Sequence, residues 1–176
     1  MTLDEVPRAL HRPLRLMLAL QKILLVATSL ALALVFFVVV ILRYGFEGDL
    51  FAYEEWVLMM AFWLYFIGGA QGSFDNTHIK ADFMAAMVSG ARRRWLLANV
   101  TLALELFVLV VMCWWAAEMV LEDVAEYPGW PRTVAWKIPF VVPRFGIFLG
   151  FLLMGIYTAI HLYVSVRRGP VETREA

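Results

Sequence analysis

Four charged side chains lie within or beside long apolar stretches of this sequence: Glu54, Glu55, Glu105 and Arg144. A charge at membrane depth is costly, so it normally faces protein or water rather than lipid. A carboxyl group there can take up an ion or a proton, or it can pair or hydrogen-bond with another helix. Glu105 follows Trp95 by ten residues, roughly 15 Å along a helix. We expect Glu105 to contact another helix, in this chain or in a second one, with an ion or proton site as the alternative.

Arg144 stands a turn or two inside the last apolar stretch. The difference in depth between Arg144 and Glu105 is small enough for the long arginine side chain to span, so the two can pair if their helices adjoin. Glu54, Glu55 and Glu118 are the rival partners for this cation.

The elements that must position these residues are four apolar stretches. Each approaches the ~20 residues that cross a ~30 Å hydrocarbon core as a helix. An open sheet in lipid would leave backbone groups unpaired, and the stretches lack the alternation of a barrel strand. We predict an all-α membrane protein, a single four-helix domain over residues 1–176, with spans at 20–43, 53–74, 95–119 and 138–166.

The distribution of basic residues predicts the orientation. The composition is 62% hydrophobic, and fifteen basic residues balance fifteen acidic ones, so the net charge does not indicate a partner but the distribution of charge is informative. No nucleic-acid partner is expected. Eleven basic residues lie before or at the start of the first span, between the second and third, or after the fourth, whereas three lie in or beside the other two connections. Because cytoplasmic segments carry the excess of Lys and Arg, we expect both termini in the cytoplasm.

The connection between the second and third spans has an apolar stripe at helical spacing, formed by Ile79, Phe83, Ala86 and Met87. We expect a short amphipathic helix over 77–90 on the cytoplasmic surface. The alternative is a tilted extension of a neighbouring span. Aromatic and basic residues expected at the lipid interface are Trp56, Arg92, Arg93, Arg94, Trp95 and Trp136.

Two pairs of glycines are spaced so that another helix can approach closely: Gly68 with Gly72, and Gly146 with Gly150. Together with the intramembrane charges, this spacing suggests a partner. The acidic residues of the outer connections, among them Asp123, are expected to be solvated, with contact to a partner protein as the alternative.

The segment from Glu54 to Met84 resembles the small (Q-type) membrane subunit of tripartite ATP-independent periplasmic (TRAP) transporters. The residues that carry the resemblance are Glu54-Glu55, Trp63, the run from Phe66 to Ala70, His78-Ile79 and Asp82. The resemblance extends to the length, to the four helices, and to a last helix opened by Ile138-Pro139, Pro143 and Gly146.

In that family a periplasmic binding protein delivers an organic acid, often a carboxylate or sulfonate, to a complex of one large and one small membrane subunit. The large subunit holds the substrate and sodium sites and moves in an elevator-like manner. The resemblance implies that this chain is a fixed brace in the bacterial inner membrane, surrounded by lipid and without catalytic residues, metal or cofactor of its own. Residues expected at helix or partner interfaces are Glu54, Glu55, Trp63, Gly68, Gly69, Gly72, His78, Asp82, Glu105, Arg144, Gly146 and Gly150.

Two other classes stay open at this point. A small proton-coupled exporter would use Glu105 as its carboxylate and would transport without another subunit. A four-helix membrane oxidoreductase subunit would need histidines on facing helices to ligate haem, and of the three histidines only His161 is near such a position.

Overall fold

Four long helices dominate the part of the chain that the computed structural model describes, residues 11–75 and 90–170. They are α1 (His11–Gly45), α2 (Tyr53–Asp75), α3 (Ala91–Ala125) and α4 (Val141–Arg168). All four are long and apolar enough to cross a membrane. Within these two ranges there is no strand, only an isolated bridge between Arg132 and Pro139. The predicted all-α fold with four spanning helices is confirmed.

The helix boundaries differ from the predicted spans. α1 begins at His11 instead of residue 20, and α3 runs from Ala91 to Ala125 instead of 95 to 119. At 35 residues each, both are roughly 50 Å long, more than the ~30 Å hydrocarbon core. An apolar run marks only the part within hydrocarbon, whereas helical hydrogen bonds continue into polar surroundings. α4 starts later than predicted, at Val141, and ends before Gly169, whose φ of 70° is typical after a helix.

α4 is the central helix of the described structure. It packs along α2 on one side and along α3 on the other, while α1 packs along α2. α2 and α4 run parallel, because Trp63 lies beside Gly146 and Ser73 lies beside Thr158 further along both helices. The order in space is therefore α1, α2, α4, α3, which differs from the order along the chain.

The buried core lies where the first half of α1 meets the last halves of α2 and α4. Its buried side chains are Leu14, Ile67, Ala70, Phe74, Leu153 and Tyr157. α1 contributes Leu14, Gln21 and Leu25. They lie on one face of the helix, because their spacing along the chain is close to whole helical turns. The rings of Phe74 and Tyr157 meet edge to face with centroids 5.3 Å apart. This cluster joins three helices at one end of the molecule.

Gly150 sets the separation of α2 and α4. A Cβ atom at Gly150 would lie 2.6 Å from the Cβ atom of Phe66 and 2.9 Å from its carbonyl oxygen. A side chain there would push the two backbones apart. One turn earlier, a Cβ atom at Gly146 would lie 3.2 Å from the indole ring of Trp63. The two glycines therefore let α2 approach α4 closely.

Two predictions fall outside what the structure describes. The amphipathic helix predicted over 77–90 lies almost wholly in residues 76–89, as do the candidate site residues His78 and Asp82, and this segment is outside the described ranges. The cytoplasmic location of the termini stays a prediction that depends on the distribution of Lys and Arg.

Candidate functional site

A chain of hydroxyl groups links Glu105 to the neighbouring helices. The hydroxyl of Thr158 on α4 donates a hydrogen bond to Oε1 of Glu105 on α3, at 3.1 Å. The hydroxyl oxygen of Ser73 on α2 lies 3.4 Å from that of Thr158 and can donate to it. Thr158 is almost completely buried. Glu105 is therefore connected to two other helices of its own chain.

A second polar link connects α1 to α4. The hydroxyl of Tyr157 donates to Oε1 of Gln21 at 3.0 Å, and both side chains are buried. One turn further along α4, Nε2 of His161 lies 3.1 Å from the carbonyl oxygen of Phe74, near the end of α2. These residues form two separate hydrogen-bonded groups, which meet only at the consecutive α4 residues Tyr157 and Thr158. We call them together the polar network, to which every helix contributes: Gln21, Ser73, Glu105, Tyr157 and Thr158.

Arg144 pairs with Asp123 and not with Glu105. Nη1 of Arg144 donates to Oδ1 of Asp123, whose side chain is 3% exposed. The expectation that Asp123 is solvated is wrong, because α3 continues to Ala125 and carries this carboxylate against the first turn of α4. A charge buried to this degree is tolerated when it is paired, and loss of either partner would leave the other without compensation.

Glu55 holds the loop between α3 and α4 against the start of α2. Its carboxylate oxygens accept hydrogen bonds from the backbone N–H groups of Ala135 at 2.8 Å and Trp136 at 2.9 Å. The indole of Trp136 packs edge-on against Phe51 and Trp56, with centroids 6.1 and 6.0 Å away. The loop is therefore fixed both by charge-assisted hydrogen bonds and by aromatic packing.

Glu54 faces a different direction from its neighbour Glu55. It is exposed, and it makes no hydrogen bond or ion pair with any residue in the described ranges. Because consecutive residues of an α-helix are about 100° apart around the axis, the two carboxylates belong to different surfaces of α2.

Two tryptophans connect α4 to its neighbours through their indole N–H groups. Trp63 on α2 donates to the carbonyl oxygen of Val142 at 3.1 Å. Trp95 on α3 donates to the carbonyl oxygen of Ser165 at 3.0 Å, so this predicted lipid-interface residue also contacts α4. The other residues predicted for the lipid interface are exposed: Trp56, Arg92, Arg93, Arg94 and Trp136.

The glycines of α2 also contact helices of the same chain. A Cβ atom at Gly68 would lie 3.7 Å from Leu25 of α1, an ordinary contact. A Cβ atom at Gly69 would lie 2.6 Å from the terminal methyl group of Met154 on α4. Gly72 lies near the end of α2 and is partly buried. With Gly146 and Gly150 already opposite α2, four of these glycines lie at contacts inside the chain.

The arrangement is suited to holding helices in place. The hydrogen bonds of the polar network, the Arg144–Asp123 pair and the two indole N–H groups all join different helices. In the ranges 11–75 and 90–170, no group of three His, Cys, Asp or Glu side chains could hold a metal ion. In the part of the chain that the structure describes, these contacts hold the four helices together.

The sequence matches a known protein family over residues 32–168, which include the end of α1 and all of α2, α3 and α4. The family is described as tripartite ATP-independent periplasmic transporters, DctQ component. The chain belongs to this family. It is the small membrane subunit of a TRAP transporter, which confirms the resemblance seen in the sequence. A comparison with curated proteins gave no match.

Membership in the DctQ family makes the chain a component of a transporter rather than of an enzyme family. The family and the four apolar helices together indicate a multi-pass membrane protein. Of the polar network, only Gln21 precedes the matched range.

Several side chains of the site were not predicted from the sequence: Gln21, Ser73, Tyr157 and Thr158. Ser and Thr are unremarkable in apolar helices because they can donate to their own backbone, as Thr28 does to the carbonyl of Leu24 at 2.7 Å. The sequence did contain a sign that Glu105 and Thr158 lie at similar depth, namely their distances along the chain from the nearest basic clusters. Glu105 follows Arg94 by eleven residues and Thr158 precedes Arg167 by nine, so helices oriented by those clusters bring the two to similar depth.

Proposed function

We propose that this subunit braces the stationary scaffold of the large TRAP membrane subunit while another part of that subunit moves. The observation that carries the proposal is the membership in the DctQ family. The contacts between helices agree with this proposal, because a subunit that braces a moving partner must keep its own helices in a fixed arrangement. Buried or partly buried hydrogen bonds connect α4 to each of the other three helices, and a partly buried ion pair adds a second connection to α3.

The exposed surfaces support a place in a larger assembly. Within their most apolar segments, only 6% of the residues of α1 and of α3 are buried, against 28% for α2 and 22% for α4. The uncovered side chains are apolar, such as Leu34 on α1 and Phe107 on α3. Surfaces of this kind contact lipid or the apolar surface of another membrane subunit.

The transport reaction in this proposal is sodium-coupled uptake of an organic acid, either a carboxylate or a sulfonate. A periplasmic binding protein delivers the acid, and the large subunit contains the substrate and sodium sites. This chain contributes no chemical step and needs no cofactor. The geometry of Glu105 supports this assignment, since its carboxylate accepts a hydrogen bond from Thr158 on α4, whose hydroxyl also lies beside that of Ser73 on α2.

We also propose an orientation in the bacterial inner membrane. The termini lie in the cytoplasm, and the loop that Glu55 holds lies in the periplasm, on the side from which the binding protein approaches. The excess of Lys and Arg near the termini and before α3 supports this orientation.

The direct test is purification of the tagged subunit from its native membrane in mild detergent, with mass spectrometry of the proteins that accompany it. Recovery of one much larger multi-spanning protein at equal stoichiometry supports the brace and identifies the transporter. Recovery of this chain alone, as a monomer or a dimer, contradicts the proposal and favours the small exporter. Membranes from cells without the tag serve as the control.

A further inference from the structure

One face of α2 is left uncovered by α1 and α4. We call it the open face of α2, and its residues repeat at helical spacing: Glu54, Leu58, Ala61 and Tyr65. Leu58 is 45% exposed and Tyr65 is 75% exposed, although both lie on a helix that packs against two others. No residue in the ranges 11–75 and 90–170 covers Leu58 or Tyr65.

Tyr65 lies near the middle of α2, which is long and apolar enough to cross a membrane. It follows Tyr53, the first residue of α2, by twelve residues and precedes Asp75, the last, by ten. At the helical rise it is therefore roughly 15 to 18 Å from either end. Tyrosine in spanning helices normally lies at the membrane surface, where its hydroxyl meets water and headgroups. Tyr65 is too deep to reach either surface.

The hydroxyl of Tyr65 has no partner among the described residues. Its ring contacts that of Phe66 edge to face, at 5.4 Å between centroids. A serine or threonine in this position could donate to its own helix, as Thr101 does to the carbonyl of Leu97. A phenol cannot, because its oxygen lies at the far end of a rigid ring. A polar group without a partner in hydrocarbon is costly, so such groups normally face protein.

The exposed faces of α1 and α3 differ from the open face of α2 in their chemistry. Leu34 on α1 is 62% exposed and Phe107 on α3 is 64% exposed. Lipid chains can cover both without loss of a hydrogen bond. The open face of α2, in contrast, has two polar groups. They are the hydroxyl of Tyr65 near the middle of the helix and the carboxylate of Glu54 at its outer end.

We infer that the open face of α2 is the docking surface for a transmembrane helix of the large subunit. That helix presents a hydrogen-bond acceptor opposite Tyr65 and a lysine or arginine at the level of Glu54. Ala61 between them is small enough for close approach of the partner backbone. This inference rests on the proposed function and specifies where the two subunits meet.

The test is photo-crosslinking in the native membrane with p-benzoyl-phenylalanine, incorporated in place of Tyr65, of Leu34 or of Phe107 in separate strains. The inference expects a covalent product with the large subunit from position 65 that is several times more abundant than from the two control positions. A product from position 65 no stronger than that from position 34 or 107 overturns it. So does a crosslink at position 65 between two copies of this chain.

The outcome also separates this inference from the proposed function. If the tagged wild-type subunit recovers the large subunit but position 65 gives no product with it, the docking surface is elsewhere and the brace stands. If the wild-type subunit recovers no large subunit, both fail.

A milder substitution tests the hydrogen bond itself. Tyr65→Phe keeps the ring and removes only the hydroxyl, and a hydrogen bond between membrane helices corresponds to about a three- to tenfold change in association. We expect the large subunit retained through a stringent detergent wash to fall by that factor. Tyr163→Phe, near the end of α4 where Arg167 donates to the hydroxyl of Tyr163, is the control and retains it. Equal retention in the two variants overturns the inferred hydrogen bond.

Discussion

Asp123 and Arg144 form an ion pair in which the carboxylate is almost wholly buried and the guanidinium is about one-third exposed. Arg144 lies in the first turn of α4. A helix N-terminus carries partial positive charge, so a cation there is unfavourable unless an anion is close. Asp123 provides that anion, and it does so from the last turn of α3. The pair therefore connects two helix ends as well as two charges.

Replacing Asp123 alone should be strongly destabilising. Asp123→Leu leaves Arg144 partly buried without its anion, and breaking a buried pair in this way costs about 3 to 5 kcal/mol. The double variant Asp123→Leu with Arg144→Leu removes both charges and should recover most of that loss. Thermal unfolding of the purified subunit, followed by size-exclusion chromatography, measures both. The control is Asp49→Leu, whose exposed pair with Arg43 should contribute nothing measurable. Equal losses in the single and double variants would contradict this account.

Gly150 and Gly155 offer a matched pair of substitutions on the same helix. Gly150→Ala forces a Cβ atom against the backbone of Phe66, whereas a Cβ atom at Gly155 meets nothing within 4 Å. Overpacking of this kind costs about 1 to 3 kcal/mol, while alanine at Gly155 should be neutral or slightly stabilising. Melting temperatures of the two variants test this, and a Gly150→Ala protein as stable as Gly155→Ala would show that α2 and α4 do not cross there.

At the scale of elements, the existence of the four helices could be predicted, because each span must fill the hydrocarbon with apolar residues. The ends of the helices could not be predicted, since α3 keeps its helical hydrogen bonds beyond its apolar run and so brings Asp123 to Arg144. Which helices pack against one another could not be predicted either. The apolar surfaces of these helices are similar on every side, and only the contacts in the structure show that Thr158, and not Arg144, faces Glu105.

The loop between α3 and α4 should depend on Glu55 and not on Glu54. Glu55→Gln replaces one of the two accepting oxygens by an N–H₂ group and removes the charge, and hydrogen bonds to a charged group contribute about 1.5 to 3 kcal/mol. We expect the amide hydrogens of Ala135 and Trp136 to exchange at least about tenfold faster. Hydrogen exchange with mass spectrometry of the 130–140 segment measures this. Glu54→Gln, one residue away and without a partner in the described structure, should leave exchange unchanged.

At the scale of the whole molecule, the polar network distinguishes a brace from an exporter. In a brace, Glu105→Gln keeps an oxygen that can accept from Thr158, so we expect uptake by the complete reconstituted transporter to stay within about twofold of wild type. In an exporter that uses this carboxylate for protons, the same change abolishes transport by the chain alone. Uptake assays in proteoliposomes with the binding protein and both membrane subunits decide between them.

The order of the helices in space has a consequence for how the chain is made. α3 leaves the ribosome before α4, yet the partners of its side chains Trp95, Glu105 and Asp123 all lie on α4. Until α4 is inserted, Glu105 and Asp123 on α3 lack the α4 side chains that they contact in the finished subunit. A chain that stops in the connection between α3 and α4 therefore leaves both carboxyl groups without these α4 side chains.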